Sequence, residues 1–399
     1  MLYEKHLNSL ITAHLEELCS TIGSRPVGSQ QNLMAEKYIE DTFVKVGLNI
    51  EKQRTECPFW KLDSVKLYLD GMKLDVIANT FTPSCSINSP FTPLSSLQEL
   101  EGCSIKGRIA LVYGELFTES LAPKNFEFWN PEKHQKVIRL LEEKAPEAII
   151  GISPRIVHPF PYIEDWDFKI PSVTVPYDTG IVLLNKKEGR ISLEISSGMT
   201  VSSSANVIGR TNNFSPKRIV ICAHYDTKYG TPGASDNATG VSAMLAAAEL
   251  LCKDRLPVEL EFLAFDGEEC YALGELEYLK KYETSFNDIL AVINIDGIGL
   301  KASSNTITFL ECSEDFVDNV LRAKSKFPGI VRVDPWYEGD HTLFWPRKVP
   351  CIALSSLGVN NILHTELDSL EKVAADKVTE IVELINEIVK LAVGKSGNQ

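Results

Sequence analysis

Arg218-Ile219-Val220-Ile221-Cys222-Ala223-His224-Tyr225-Asp226 is an apolar run that breaks off at a histidine. Arg218 to Ala223 is short and rich in β-branched residues, which predicts a buried strand of a parallel sheet. The pattern repeats downstream. Thr239 to Cys252, rich in Ala and Leu, predicts a helix, Val258 to Phe265 a strand, and Gly274 to Tyr282 a helix. Ile289 to Ile295 then predicts a strand, Phe316 to Ser325 a helix, and Val349 to Ser355 a strand. Strands alternating with helices imply an α/β fold, a mainly parallel mixed sheet with helices on both faces. A long final helix is expected from about Asp368, where Asp368 and Glu371 have capping-box spacing. The tail Gly394 to Gln399 is expected to fray.

Upstream, Leu7, Leu10, Ile11, His14 and Leu15 follow helical spacing, as do Ala35, Ile39, Phe43 and Val46. A loop, Gly23-Ser24-Arg25-Pro26-Val27-Gly28-Ser29, separates them. Residues 59–205 read differently. Ser64 to Leu69, Gly107 to Tyr113, Ala148 to Ile152 and Ile170 to Val175 are short strand candidates, with one helix at Pro131 to Lys144. This segment is expected to be an inserted, small, mostly-β accessory domain within a catalytic domain made of residues 1–58 and 206–399.

The bulk properties bound the function. A chain of 399 residues exceeds one ordinary core, and 44% apolar with 24% charged residues is a globular composition. No apolar run approaches the roughly 20 residues of a membrane span. Met1 to His6 lead into a mixed-charge helix without the apolar core of a secretory signal, so a cytoplasmic protein without a membrane partner is expected. The net charge of −14 argues against nucleic acid. The nine cysteines form no Cys-x-x-Cys pair and read as buried free thiols. Oligomeric state stays open, a homo-oligomer included.

In such sheets ligands collect at the carboxyl ends of the strands. The strand at 219–223 runs into His224-Tyr225-Asp226, the one ending at Phe265 into Asp266-Gly267-Glu268-Glu269, and the one ending at Ile295 into Asp296. Asp236 precedes the Ala-rich helix, and His364 precedes the last one. Singly, each has a bland reading: a core or surface histidine, a turn-forming aspartate, a solvated Glu-Glu pair. Together they aim two imidazoles and several carboxylates at one sheet edge. A divalent cation relieves the repulsion among such carboxylates, and imidazole with carboxylate oxygen suits zinc, with manganese or cobalt as substitutes. His224, Asp236, Glu269, Asp296 and His364 suffice for two metals if one carboxylate bridges.

His224-Tyr225-Asp226-Thr227, Gly233 through Gly240, Phe265 through Gly274, Ile293 through Gly299 and Leu363-His364-Thr365 resemble the co-catalytic zinc peptidases, the family of bacterial leucyl aminopeptidases, aminopeptidase Y and the glutamate carboxypeptidases. The middle segment resembles, more loosely, the protease-associated domain that some members carry. The resemblance implies a zinc-exopeptidase fold and two Zn2+ ions, with Asp236 bridging. His224 and Asp296 would complete one site, and Glu269 with His364 the other. It implies that Glu268 is the general base for a two-metal-activated water, that Asp226 orients His224, and that the substrate is a peptide losing its N-terminal residue. Asp340 and His341 resemble a pair found near the substrate in the family; an exposed turn is their bland alternative. Gly274-Glu275 departs from the usual Gly-Ser. The rivals are a carboxypeptidase, for which Arg332 and Arg347 could grip a terminal carboxylate, a glutaminyl-cyclase-like enzyme, and a non-catalytic binding protein on this fold.

Overall fold

A computed structural model of the chain describes residues 2–186, 189–212, 215–253 and 255–396. It divides into two compact units, Met1–Cys57 with Ser202–Gln399, and Pro58–Val201.

In the first unit the order is α1 (Leu2–Glu16), α2 (Gln30–Val46), β1 (the 202–210 end of the strand Arg190–Arg210), β2 (Arg218–His224), α3 (Thr239–Leu251), β3 (Glu259–Phe265), α4 (Leu273–Tyr282), β4 (Ile289–Ile295), β5 (Asn305–Leu310), α5 (Glu314–Lys324), β6 (Ile330–Arg332), β7 (Cys351–Ser356) and α6 (Ala375–Ser396). The sheet runs β6-β5-β7-β4-β2-β3-β1. Its centre, β7-β4-β2-β3, is parallel, while β1 and β5 pair antiparallel. Every residue of β2 is buried, as a strand covered on both faces must be.

Register is what places the site. Phe265 pairs with His224 across β3 and β2, and Asn294 pairs with Cys222 across β4 and β2. Asp266 therefore starts one residue beyond the level of His224, and Asp296 stands two beyond Asn294, level with His224. One core holds the helices to the sheet, with Val241, Leu245 and Ala248 of α3 and Ile381, Ile385 and Ile388 of α6 fully buried in it. Each such Ile or Leu removed from water contributes about 1.5–3 kcal/mol. The small side chains of α3 let helices close in around it. Gly240 in particular sits where a Cβ would lie 2.4 Å from the Ile295 carbonyl, so only glycine allows α3 to meet the end of β4.

The last helix starts later than its sequence suggests. Asp368 is no helix cap: its carboxylate accepts the Ser235 and Asp236 N–H groups, at 2.7 and 3.0 Å. A 3-10 turn at Leu370–Lys372 follows, and α6 begins at Ala375. It continues through Ser396 where fraying was expected; Gly397 to Gln399 lie outside the described residues.

In the second unit, Cys85–Leu94 pairs antiparallel with the strand end at 190–195 and parallel with Ile109–Val112. Ala148–Ile152 and Ser172–Val175 extend this parallel run, and Ile77–Ala78 closes it antiparallel. Helices Leu97–Gly102, Glu132–Lys144 and Tyr177–Asn185 accompany the sheet. Among the described residues no helix is long and apolar enough to cross a membrane.

Candidate metal centre

Four loops leave the carboxyl ends of the parallel strands or enter the helices beside them, and they carry the site. His224 ends β2 and is 1% exposed. Its Nε2 lies 3.1 Å from Asp236 Oδ1 and 3.6 Å from Asp296 Oδ1. His364 Nε2 lies 3.1 Å from Asp236 Oδ2 and 3.1 Å from Glu269 Oε1. The two oxygens of Asp236 thus face different imidazoles. Two donor sets result, His224 with Asp236 and Asp296, and Asp236 with Glu269 and His364, each with its donor atoms within 4.8 Å of one another.

The charges show what such a site asks for. Burial opposes a charged His224, yet Glu268 and the close carboxylates of Asp226, Asp236 and Asp296 hold its pKa well above that of an ordinary histidine. His364 keeps an exposed flank, with 44% of its side chain accessible, yet Glu269 and Asp236 outweigh the desolvation of the ring and hold its pKa well above that of an ordinary histidine. Asp236 sits well below the usual carboxylate range despite its burial, because both imidazoles donate to it. The imidazolium protons stand in for cations among buried carboxylates. Each set has one imidazole nitrogen and two carboxylate oxygens, a ligand set that fits zinc and leaves a further position open for water or substrate.

Glu268 is pushed well above the usual range, first by burial and then by Glu269, Asp340 and Asp296, with His224 opposing. A half-buried carboxyl of raised pKa beside a metal-type donor set is suited to take and return a proton. Asp226 holds the group in place. Its two oxygens accept the Glu268 and Glu269 N–H groups, each at 3.2 Å, and Oδ1 lies 3.5 Å from His224 Nδ1.

The outlying predicted residues divide. Asp340 is buried with both carboxylate oxygens unpartnered. His341 is fully buried and engaged on both sides, Nδ1 3.1 Å from Asn294 Nδ2 and Nε2 3.0 Å from the Trp336 carbonyl. Arg332 lies over Phe309 and Arg347 over Phe286, and none of these four residues belongs to the donor sets.

Several residues that build the site gave no distinct signal. Arg25, fully buried, donates to the carbonyls of Tyr225, Leu18, Gly23, Pro232 and Gly233. It ties the Gly23–Ser29 loop to the segments that carry His224 and Asp236. Asp368 grips the same Asp236 loop from the other side, its carbonyl also accepting from Ala234 N–H. Behind Asp226, the Asp266 carboxyl accepts from Asn32 at 2.7 Å and Tyr225 at 2.9 Å, and burial followed by the Asp226 charge pushes it up to about 7. Lys228 Nζ donates to the Glu269 carbonyl at 2.9 Å. Only the arginine's place in a Gly- and Pro-punctuated loop hinted at any of this.

A parallel sheet whose carboxyl edge gathers two such donor sets beside a half-buried glutamate of raised pKa defines a metal-dependent hydrolase. Residues 206–389, the segment that carries both donor sets, match the model of Peptidase family M28. Aminopeptidase YwaD of Bacillus subtilis (strain 168) is 24% identical over 418 residues, covering 98% of this chain and 85% of that one. The same fold is seen in the zinc aminopeptidase BSAP from Bacillus subtilis, with TM-score 0.77, 22% identity and coverage of 98% and 95% of the two chains. It is seen again in the aminopeptidase from Aneurinibacillus sp. strain AM-1, with TM-score 0.76, 20% identity and coverage of 98% and 93%.

Proposed function

We propose that this chain is a zinc aminopeptidase that holds two Zn2+ ions, one through His224, Asp236 and Asp296 and the other through Asp236, Glu269 and His364. The observation that carries this reading is Asp236, whose two oxygens each face a different imidazole at 3.1 Å. The bound ions supply Lewis-acid activation of the attacking water and the scissile carbonyl. Glu268 takes the proton of that water and delivers it to the leaving amine, a role that a carboxyl of raised pKa suits. Asp226 fixes the His224 ring and the Glu268–Glu269 backbone at once. Action on free N-termini is supported by the relatives, which are aminopeptidases. Manganese or cobalt would fit the same donors.

Residues 59–205 are assigned to an accessory domain of protease-associated type, inserted in the peptidase domain 1–58 and 206–399; the compactness of Pro58–Val201 supports this.

The test uses amino-acid p-nitroanilides and peptides with free or acetylated N-termini, with and without a chelator. Free N-termini are cleaved, blocked ones are not, and chelation stops turnover until zinc is restored. Cleavage of the blocked peptides would refute the aminopeptidase reading.

A further inference from the structure

The two donor sets are alike in composition but not in their surroundings. Asp236 belongs to both, so Asp296 and Glu269 are the carboxylates that tell them apart. Glu269 is divided between two partners. Its Oε1 faces His364 Nε2 at 3.1 Å, and its Oε2 faces the Lys228 ammonium, with Nζ at 3.8 Å. The same Nζ donates to the Glu269 backbone carbonyl at 2.9 Å, so Lys228 grips both the main chain and the side chain of that residue. Asp296 Oδ1 faces His224 Nε2 at 3.6 Å, and among the described residues no ion pair joins Asp296 to a lysine or an arginine.

The backbone on both sides fixes where Lys228 stands. Before it, Arg25 N–H donates to Thr227 Oγ1 at 2.9 Å and Thr227 N–H donates to the Arg25 carbonyl at 3.3 Å. After it, Thr231 donates to the Lys228 carbonyl through its N–H at 3.3 Å and its Oγ1 at 3.0 Å. These bonds close a turn over Lys228–Thr231, and Gly230, at φ 77°, takes the left-handed position that such a turn requires. The Lys228 side chain is 21% exposed and that of Glu269 7%, so solvent and salt screen this pair less than a surface pair.

An ammonium is a compact unit charge. Held against one oxygen of Glu269, it draws on the charge that the other oxygen offers, and it repels a cation in the same set. We infer that Lys228 makes the two sets unequal: it lowers the zinc affinity of Asp236, Glu269 and His364, so that this set fills last and empties first while His224, Asp236 and Asp296 keep their ion. The exposure of the two imidazoles runs the same way, since His364 has a flank open to solvent and His224 has none to speak of. Lys228 is a positioning residue, acting through Glu269. Occupancy of the second set then follows the free zinc concentration.

The test is titration of the metal-free protein with zinc against a competing chelator, with each set isolated. Asp296→Ala leaves the second set whole, and His364→Ala leaves the first. Lys228→Met, added to each, keeps the stem and removes the charge. It is expected to tighten zinc binding about tenfold in the Asp296→Ala protein, the lower end of what a group touching a ligand contributes, and to leave the His364→Ala protein within about threefold. That second result also shows that the methionine variant folds. Lys228→Arg keeps the charge and should leave the Asp296→Ala protein within about threefold. Unchanged or weaker binding when Lys228→Met is added to Asp296→Ala overturns the proposal. So does an equal gain in both proteins, which is a general effect of net charge. Because the inequality rests on the two-zinc reading, the wild type is titrated alongside. Two equivalents with no effect of Lys228 refute the role of Lys228 alone; a single equivalent refutes the two-zinc reading and the inequality together.

Discussion

Replacing Arg25 by Met should be among the most damaging single changes in the protein, although Arg25 touches neither substrate nor metal donors. Its guanidinium makes five hydrogen bonds to backbone carbonyls: Tyr225 at 2.8 Å, Gly233 at 2.9 Å, Gly23 at 3.0 Å, and Leu18 and Pro232 at 3.2 Å. Methionine fills much of the volume but leaves those acceptors buried and unpaired, at about 1 kcal/mol or more apiece. Losing the guanidinium relieves its own burial cost, which Asp226, Asp368 and Asp236 already offset in part. The expected net loss is about 4 kcal/mol. Lysine should recover little, since one ammonium cannot span carbonyls arranged around a planar fork. Urea denaturation of the metal-free protein measures the loss as a fall in midpoint at constant slope. Titration with zinc against a competing chelator should show weaker binding as well, because Pro232 and Gly233 lead directly into Asp236. A loss below about 1 kcal/mol, or unchanged zinc affinity, would show that the loop is held by other contacts.

Glu268→Gln should lower kcat by at least about a hundredfold while zinc content after dialysis stays near that of the wild type; turnover at the wild-type rate would remove Glu268 from its role. His14 is buried, accepts or donates through Nδ1 at 2.6 Å from Tyr38 Oη, and burial pushes its pKa down to about 4. Its folded pKa lies below the unfolded value near 6.5, so the unfolded chain binds the proton first and stability falls as pH drops from about 6.5 to 4. The loss from this one group is about 3 kcal/mol, and denaturation of His14→Gln over that range should show a flatter slope. Gly240→Ala should destabilise by about 2–3 kcal/mol, since its methyl would meet the Ile295 carbonyl and the Asn237 side chain; thermal unfolding that matches the wild type would mean α3 can move off β4 without cost.

Much of the catalytic unit could be read from local pattern. β2, β3 and β4 were expected within a residue or two of their observed bounds, since a parallel strand buried on both faces is a bare apolar run between turns. The outermost strand Ile330–Arg332 and its neighbour Asn305–Leu310 were not, because their alternation is short and interrupted. Helix Tyr177–Asn185 and strand Cys85–Leu94 of the second unit were likewise unmarked, the strand carrying two prolines and the helix a glycine. Asp368 shows the opposite failure. Its spacing to Glu371 imitates a helix cap, but two backbone N–H groups of a loop more than 130 residues away claim the carboxylate instead.

The sequence by itself determined the class of fold and which side chains were candidates for the site, because strand and helix periodicity and a strand-end position are local properties of the chain. Tertiary structure alone decided that His224, Asp236, Glu269, Asp296 and His364 share one pair of donor sets, and that Arg25 and Asp368 grip the same loop. Those contacts join segments separated by tens to hundreds of residues. Their formation depends on strand register and on close helix packing at Gly240, and no local pattern encodes either.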